Sequence, residues 1–322
     1  MSNPLENHAS VRSLLSAAIL APSVHNTQPW RFVLRSGPVL ELHSDPDRRL
    51  NVLDPRGRAM LISCGAALLN LRLAMVAAGR RPEVTVTAGE GGGTLLAEVR
   101  SGVPAERSEE DARLFTAIAR RRSNRLPFEE RQVPDTVVKE MIEAAIAEGA
   151  QLWAADRDVA RELQDVIRNA EQELVADPDY RNELDLWTAD RHRLDGVPRY
   201  AFGPRPGPGE PPMRDFGLDW WHTERPGVRF ERTPQLASLA TMGEGPAIWL
   251  AAGQALQRVL LTATANGVAT SLFTQPLDLQ DMRLPWAENE HDLHLQAMIR
   301  FGYGPPAPSS PRRPVSAVLE AP

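Results

Sequence analysis

Apolar side chains recur at helical spacing near the start of the chain. Val11, Leu14, Leu15, Ala18 and Ile19 share one face, with Ser10 as candidate cap and Pro22 as stop. The pattern predicts an amphipathic helix over residues 11–20. The period then falls to two in residues 31–35 and 39–43, and Ser36-Gly37-Pro38 between them predicts a hairpin. A long apolar helix is expected from Pro55, capped by Asp54, to Gly79. The glycine-rich residues 89–93 lie between two strand-like runs, 84–87 and 95–100, so they read as a hairpin loop and not as a dinucleotide fingerprint. The pattern begins again at Ser108, whose spacing to Asp111 makes a capping box for a helix through Leu114, Phe115, Ile118 and Ala119. A further helix over 135–146, with Val138, Met141, Ile142 and Ala145 inward, stops at Gly149 and leads into a short strand over 151–155.

This second start is more than a recurrence of element types. Residues 65–79 and 253–267 align without gaps over 15 positions with six identities, Gly65/Gly253, Ala67/Ala255, Leu68/Leu256, Leu73/Leu261, Ala77/Ala265 and Gly79/Gly267. The helix-then-strand match at Ala17-Ala18-Ile19 and Ala144-Ala145-Ile146 is offset by 127 positions, the glycine-bounded match by 188. Two unequal halves follow, residues 1–103 and 104–322, the second carrying an insertion at about 180–234. That segment is rich in Pro, Gly, Arg and Trp, a composition that does not hold regular structure through its length. Trp187, Phe202, Trp220 and Trp221 are costly to leave in water, so a lid or arm packed on the body is expected over a solvated linker.

Composition narrows the chemistry. The chain has 322 residues, 42% hydrophobic and 24% charged, as expected of a globular protein, and its net charge of -6 argues against a general nucleic-acid surface. Cys64 is the single cysteine, which removes disulfide frameworks and cysteine-built metal sites. Lys139 is the only lysine among 36 basic residues, which removes a P-loop and leaves a Schiff-base enzyme only that position. No signal peptide is apparent, and the most apolar helices carry Asn70, Arg72, Gln254 and Arg258, so no membrane span and a reducing cytoplasm are expected. His291 and His294 read as a surface turn and not a metal site.

Against that background, Ala21-Pro22-Ser23 leading to Asn26, Gln28-Pro29-Trp30 and Phe32 resembles the signature of the flavin-dependent nitroreductase family. Arg121-Arg122-Ser123-Asn124-Arg125, followed by Phe128 and Val133-Pro134, is similar to that family's Arg-x-Ser-x-Arg element. Arg300-Phe301-Gly302-Tyr303-Gly304 and Arg312-Arg313-Pro314-Val315 are similar to its closing strand and terminal basic pair. Ordinary members are homodimers in which one subunit carries both of the first two elements. Here they are split between the halves, and the second half reads Glu148-Gly149-Ala150-Gln151 where Pro-Ser-x-x-Asn should follow. The fused arrangement with a large insertion most resembles the actinobacterial Acg family.

The resemblance implies an α+β, nitroreductase-like fold in which two mixed-sheet halves form an intramolecular pseudo-dimer, monomeric and with one FMN. The implied cofactor contacts are Pro22, Ser23, Val24, His25, Asn26 and Gln28 from the first half, and Arg121, Arg122, Ser123 and Arg125 from the second. Thr270, Ser271, Leu272, Thr274 and Gln275 follow at the flavin N5 region, with Arg312 and Arg313 from the tail. Arg121, Ser123, Arg312 and Arg313 suit a phosphate, being fork-shaped cations and a hydroxyl. Arg125, by family position, faces the pyrimidine edge. The bland alternatives are a basic run that complements a helix dipole and an ordinary helix-terminating loop. No catalytic side chain is assigned, because the cofactor carries the hydride chemistry, and His25 is read as a positioned polar neighbour. Two functions follow as expectations: an NAD(P)H-dependent reductase of nitro or quinone-type small molecules, or a protein that sequesters FMN under its insertion. A scaffold without flavin is the third.

Overall fold

The computed structural model describes residues 3–89, 92–188, 193–207, 211–218, 227–279 and 293–320. Helix α1 (His8–Ala18) starts before Ser10 because Asn7 is the cap, its side chain accepting from the Ala9 amide at 2.8 Å. Strands β1 (Trp30–Arg35) and β2 (Val39–Ser44) form the expected hairpin. Helix α2 (Arg58–Ala77) begins three residues after Pro55, yet Asp54 still serves its first turn, its carboxylate accepting from Met60 N at 2.8 Å. Strands β3 (Arg80–Val86) and β4 (Leu95–Pro104) follow as a second hairpin. The Ser108–Asp111 capping box opens α3 (Glu109–Ile118), and α4 (Asp135–Ile146) leads to β5 (Gln151–Ala154).

The insertion departs from expectation. It starts directly after β5 with two helices, α5 (Arg157–Ala176) and α6 (Pro178–Thr188), so residues 180–188 are helical and not irregular. Averaging over a Pro- and Gly-rich window hid them: within α6 the only proline is the first residue, where it costs no hydrogen bond, and there is no glycine. Among the described residues the remainder holds a 3-10 turn (Arg199–Ala201) and the two-residue strands β6 (Arg205–Pro206) and β7 (Gly227–Val228). The chain closes with β8 (Gln235–Met242), α7 (Pro246–Ala265), β9 (Ala269–Phe273), the one-turn α8 (Gln275–Asp278), β10 (Leu293–Gly302) and β11 (Leu319–Glu320).

Among the described residues, two main sheets and the small β6–β7 pair result, giving an α+β architecture. One runs β11-β1-β2-β4-β3, antiparallel except for β11 beside β1; the other runs β5-β8-β10-β9, antiparallel throughout its described residues. The order β1-β2-β4-β3 is thus repeated by β5-β8-β10-β9, with α2 and α7 in the same place in each series. These two helices pack on each other, and the repeated glycines meet at the crossing. A Cβ on Gly65 would strike the Leu250 carbonyl oxygen, and one on Gly253 would strike that of Ile62. At the crossing, buried Asn70 accepts from Gln257 at 2.7 Å and donates to the Ala17 carbonyl at 3.0 Å. Helix α2 is long and apolar enough to cross a membrane, but 83% of that window is buried inside the protein, as for a core helix. We expect Gly65→Ala to cost about 1–3 kcal/mol by overpacking against backbone that cannot turn aside. Chemical denaturation that showed no loss would mean the helices part more easily than their contact implies.

The insertion packs on both halves: Ala160, Leu163, Ile167, Met213 and Phe230 bury with Leu236, Phe273 and Met298 of the second half, and the rest lies on the first. Tyr180, Leu184, Val197, Ala201, Phe202 and Phe216 bury with Leu50 and Leu53, and Trp187 packs against this cluster half-buried. Glu183 accepts from Val52 N and Leu53 N at 3.0 and 2.9 Å, while Arg48 joins Asp195 at 2.9 Å and the Thr27 carbonyl at 2.7 Å. Trp220, Trp221 and His291 lie outside the described residues.

Candidate functional site

The segment between α1 and β1 is bent by three non-glycine residues in the left-handed region, His25 (φ 44), Asn26 (φ 55) and Gln28 (φ 51). Such conformations cost of order 1–3 kcal/mol each and persist only where the surroundings over-determine them. The side chains show how. Asn26 donates to the carbonyls of Gly196 (2.9 Å) and Pro311 (3.1 Å) and accepts from Arg312 Nη1 (2.9 Å). Gln28 donates to the Leu194 carbonyl (2.8 Å) and accepts from Arg313 N (2.8 Å), and its own amide donates to Ser23 Oγ (2.9 Å). The polar motif residues therefore bolt this loop to the insertion and to the C-terminal segment.

The bolted loop forms one wall of a cavity. Its wide end, with about 930 Å³ of empty space including its mouth, is lined by Pro22, Ser23, Val24 and His25, by Arg58, Ile62, Ser63 and Ala66 of α2, by Ser123 and Arg125, and by Ser271, Leu272, Phe273 and Thr274 on and after β9. Met213, Arg214 and Phe216 of the insertion complete it, with Leu256 of α7 and Gln296 of β10. A narrower end, about 420 Å³, adjoins it and shares Pro22, Ser23, Ser123 and Arg125; it adds Asn26, Arg121, Arg122, Ser310 and Arg312. The arginine element reaches the cavity because it is laced to β9: Ser123 pairs with Thr270, and Asn124 N donates to the Thr270 carbonyl at 2.7 Å.

Of the sequence-predicted residues, Pro22, Ser23, Val24, His25, Asn26, Arg121, Arg122, Ser123, Arg125, Ser271, Leu272, Thr274 and Arg312 come together on these walls. The other four stand behind them. Gln28 is fully buried among the bonds just described, Thr270 pairs with Ser123, and Gln275 donates to the Pro212 carbonyl. Arg313 turns its guanidinium to the carbonyls of Gln28 and Ala317. Arg58, Met213, Arg214, Phe216 and Gln296 were not foreseen. Arg58 had one usable signal, its place in the first turn of the repeated helix; Arg214 sits in a proline-rich stretch with no pattern around it.

The narrow end is electrostatically incomplete. Arg121 is buried, donates to the Leu20 carbonyl at 3.4 Å, and has Nε and Nη1 without a partner among the described residues. Burial, then the charges of Arg312 and Arg122, push its pKa down to about 9. Arg312 bonds Asn26 and backbone carbonyls, has Nε without a partner among the described residues, and is pushed down to about 10 by burial and then by Arg122. Buried like charges facing one cavity favour an anion there, and forked guanidiniums suit phosphate or carboxylate oxygens. Arg121 also meets the end of α1 through the Leu20 carbonyl, and Arg122 meets the end of α3 through the Ala119 carbonyl at 2.9 Å.

At the wide end Arg125 donates to the Ala201 carbonyl (2.8 Å) and stands 4.5 Å over the Phe216 ring; burial and then Arg214 lower its pKa to about 10. Arg214 is clamped between His25 Nε2 (2.8 Å) and Asp278 (2.5 Å); burial alone would lower its pKa, but Tyr180, Asp278 and Glu171 raise it on balance. In the second half Glu148, in the turn between α4 and β5, receives Arg72 at 2.6 Å and Arg258 at 2.8 Å.

No family model matches the chain. It is 31% identical over 333 residues to the Mycobacterium tuberculosis protein named "Putative NAD(P)H nitroreductase Rv3131", covering 100% of this chain and 94% of that protein. It is 32% identical over 326 residues to "Putative NAD(P)H nitroreductase acg" of the same organism, covering 96% and 95%. Among solved structures, a BluB-like flavoprotein from Clostridium difficile gives a TM-score of 0.42 at 17% identity, over 64% of this chain and 96% of that one. Full-length identity to these relatives, together with the motif loop and the arginine element meeting on one cavity, settles the family: the chain belongs to the nitroreductases, in the branch of Acg.

Proposed function

We propose that the chain is an FMN-dependent oxidoreductase, with NAD(P)H as reductant and a nitro or quinone-type small molecule as acceptor. The observation that carries this reading is the buried, uncompensated Arg121 at the narrow end of a cavity whose wide end is mostly apolar. A phosphate ester answers the first and a flat ring the second. Arg121, Arg122, Ser123 and Arg312, which line the narrow end, would hold the phosphate; Ile62, Leu256, Leu272 and Phe216, which line the wide end, would lie against the ring and keep water from it. Arg125 brings positive charge to the same end, where it favours a ligand that gains negative charge. Bound FMN supplies two-electron hydride chemistry. The relatives' names supply the reductant.

We further infer that the two sheets are halves of an internal duplication, so that the chain forms its site as a monomer, and that Glu148 leaves room for a single flavin. Acid release from natively purified protein is expected to give about one FMN per chain by this one-site argument. Two would contradict the single-site reading, and none after supplementation would favour a scaffold. The alternative, FMN sequestration, draws support from Met213, Arg214 and Phe216 of the insertion lining the ring end. Anaerobic mixing separates the two. Bleaching of the flavin by NAD(P)H marks the reductase, whereas bleaching by dithionite alone marks the sequestering protein.

A further inference from the structure

His25 is 6% exposed, lines the wide end of the cavity, and has Nδ1 buried with no hydrogen-bond partner among the described residues. Its Nε2 lies 2.8 Å from Nη1 of Arg214. A guanidinium nitrogen only donates, so Nε2 must accept. An imidazole whose Nε2 lone pair is engaged in this way is neutral and carries its proton on Nδ1. Arg214 cannot turn aside, because its Nη2 is held by Asp278, which in turn accepts from Thr274 Oγ1 at 3.1 Å. The Phe216 ring meets the imidazole edge-on with centroids 5.4 Å apart. The backbone at His25 is left-handed, and Nδ1 is the ring nitrogen left without a partner among the described residues.

Resting on the flavin reading of this cavity, we propose that Arg214 locks His25 as the neutral Nδ1–H tautomer, which presents a fixed hydrogen-bond donor to an acceptor atom of the ring-end ligand. His25 is then a positioning donor and not a proton shuttle. The charged groups around it agree. Arg214 and Arg125 face it as cations, and the acids Asp278 on α8 and Glu171 on α5, with Tyr180 on α6, act on the far side of Arg214. Burial and the two arginines keep the imidazole pKa well below its ordinary value. The insertion thereby does more than cover: its Arg214 decides which histidine nitrogen carries the proton.

Histidine-selective 15N NMR of the full chain, first freed of FMN and then with FMN added, tests both parts. The expected result is a protonated Nδ1 and a bare Nε2, unchanged from about pH 5.5 to 8, with the Nδ1–H resonance shifted and its exchange slowed by FMN. Arg214→Met should let an Nε2–H form appear and bring titration back toward the ordinary histidine range, while Arg214→Lys, which keeps a donor, should retain the Nδ1–H form. His25→Phe, which keeps the ring packing, should weaken FMN binding roughly two- to tenfold. An Nε2–H tautomer or an imidazolium near pH 7 in the unaltered chain overturns the proposal. So does an Nδ1–H that ignores FMN while quenched flavin fluorescence shows it bound. Failure of FMN to bind removes the flavin reading and the ligand half of this one; the tautomer, read in the FMN-free chain, still decides the role of Arg214.

Discussion

Glu231→Ala is expected to cost about 3–5 kcal/mol of stability, because it strands a cation in the interior. Arg300 on β10 is fully buried, and both of its bonds to Glu231, at 2.5 and 2.6 Å, form a two-point fork. The same carboxylate accepts from Phe128 N at 2.9 Å, while Arg300 stacks 3.7 Å from the Phe128 ring and donates to the Leu126 carbonyl. Gly302 and Gly304 close over that ring, where a Cβ at either would collide with Phe128. The cluster therefore anchors the stretch just after Arg125, so its loss should reach the cavity as well as the core. Urea unfolding of Glu231→Ala measures the cost, and a loss below about 1 kcal/mol would show that water reaches Arg300. Glu231→Leu with Arg300→Met removes both charges and should recover most of the loss.

Arg121→Met should act in opposite directions on binding and on folding. FMN affinity is expected to fall about ten- to a hundredfold through loss of a charge-assisted bond worth roughly 1.5–3 kcal/mol. The FMN-free chain should gain stability, since a buried guanidinium with two unpartnered nitrogens is removed. The pH dependence has a definite sign. A base whose folded pKa is depressed to about 9 opposes folding at lower pH, and that cost is relieved as pH rises through the folded value toward the ordinary one. Between pH about 8 and 10.5, thermal melts of the FMN-free chain should rise relative to Arg121→Met, whose melts lack this contribution. Equal affinity and equal melts in the two proteins would reduce Arg121 to a packed helix end.

Much of this was legible in the sequence because it rests on local rules. The Gly65/Gly253 identity pointed to a repeat, and the structure supplies the reason: only hydrogen fits on either side of that crossing. The Ser108–Asp111 box and both hairpins were readable for the same kind of reason, as their bonds lie within a few residues. The motif singled out Asn26 and Gln28, but not the partners of their amides, Gly196, Leu194 and Arg313, which lie more than 160 positions away. Arg214 could not be found at all. What makes it part of the site is a clamp between His25 and Asp278, residues on either side of it in sequence by a long way, and no local spacing encodes that.

The C-terminal segment brings Arg312 into the cavity and then, as β11, pairs in parallel with β1 of the first sheet. Arg121 and Arg312, far apart in sequence, line the same narrow end, where one anion would meet both. A ligand that satisfies both acts as a noncovalent cross-link, and its binding energy is shared with the docking of that last strand. At a hundred times its dissociation constant such a ligand adds about 2.7 kcal/mol to the assembled state, so holding the strand in place and holding the anion are one equilibrium seen from two ends.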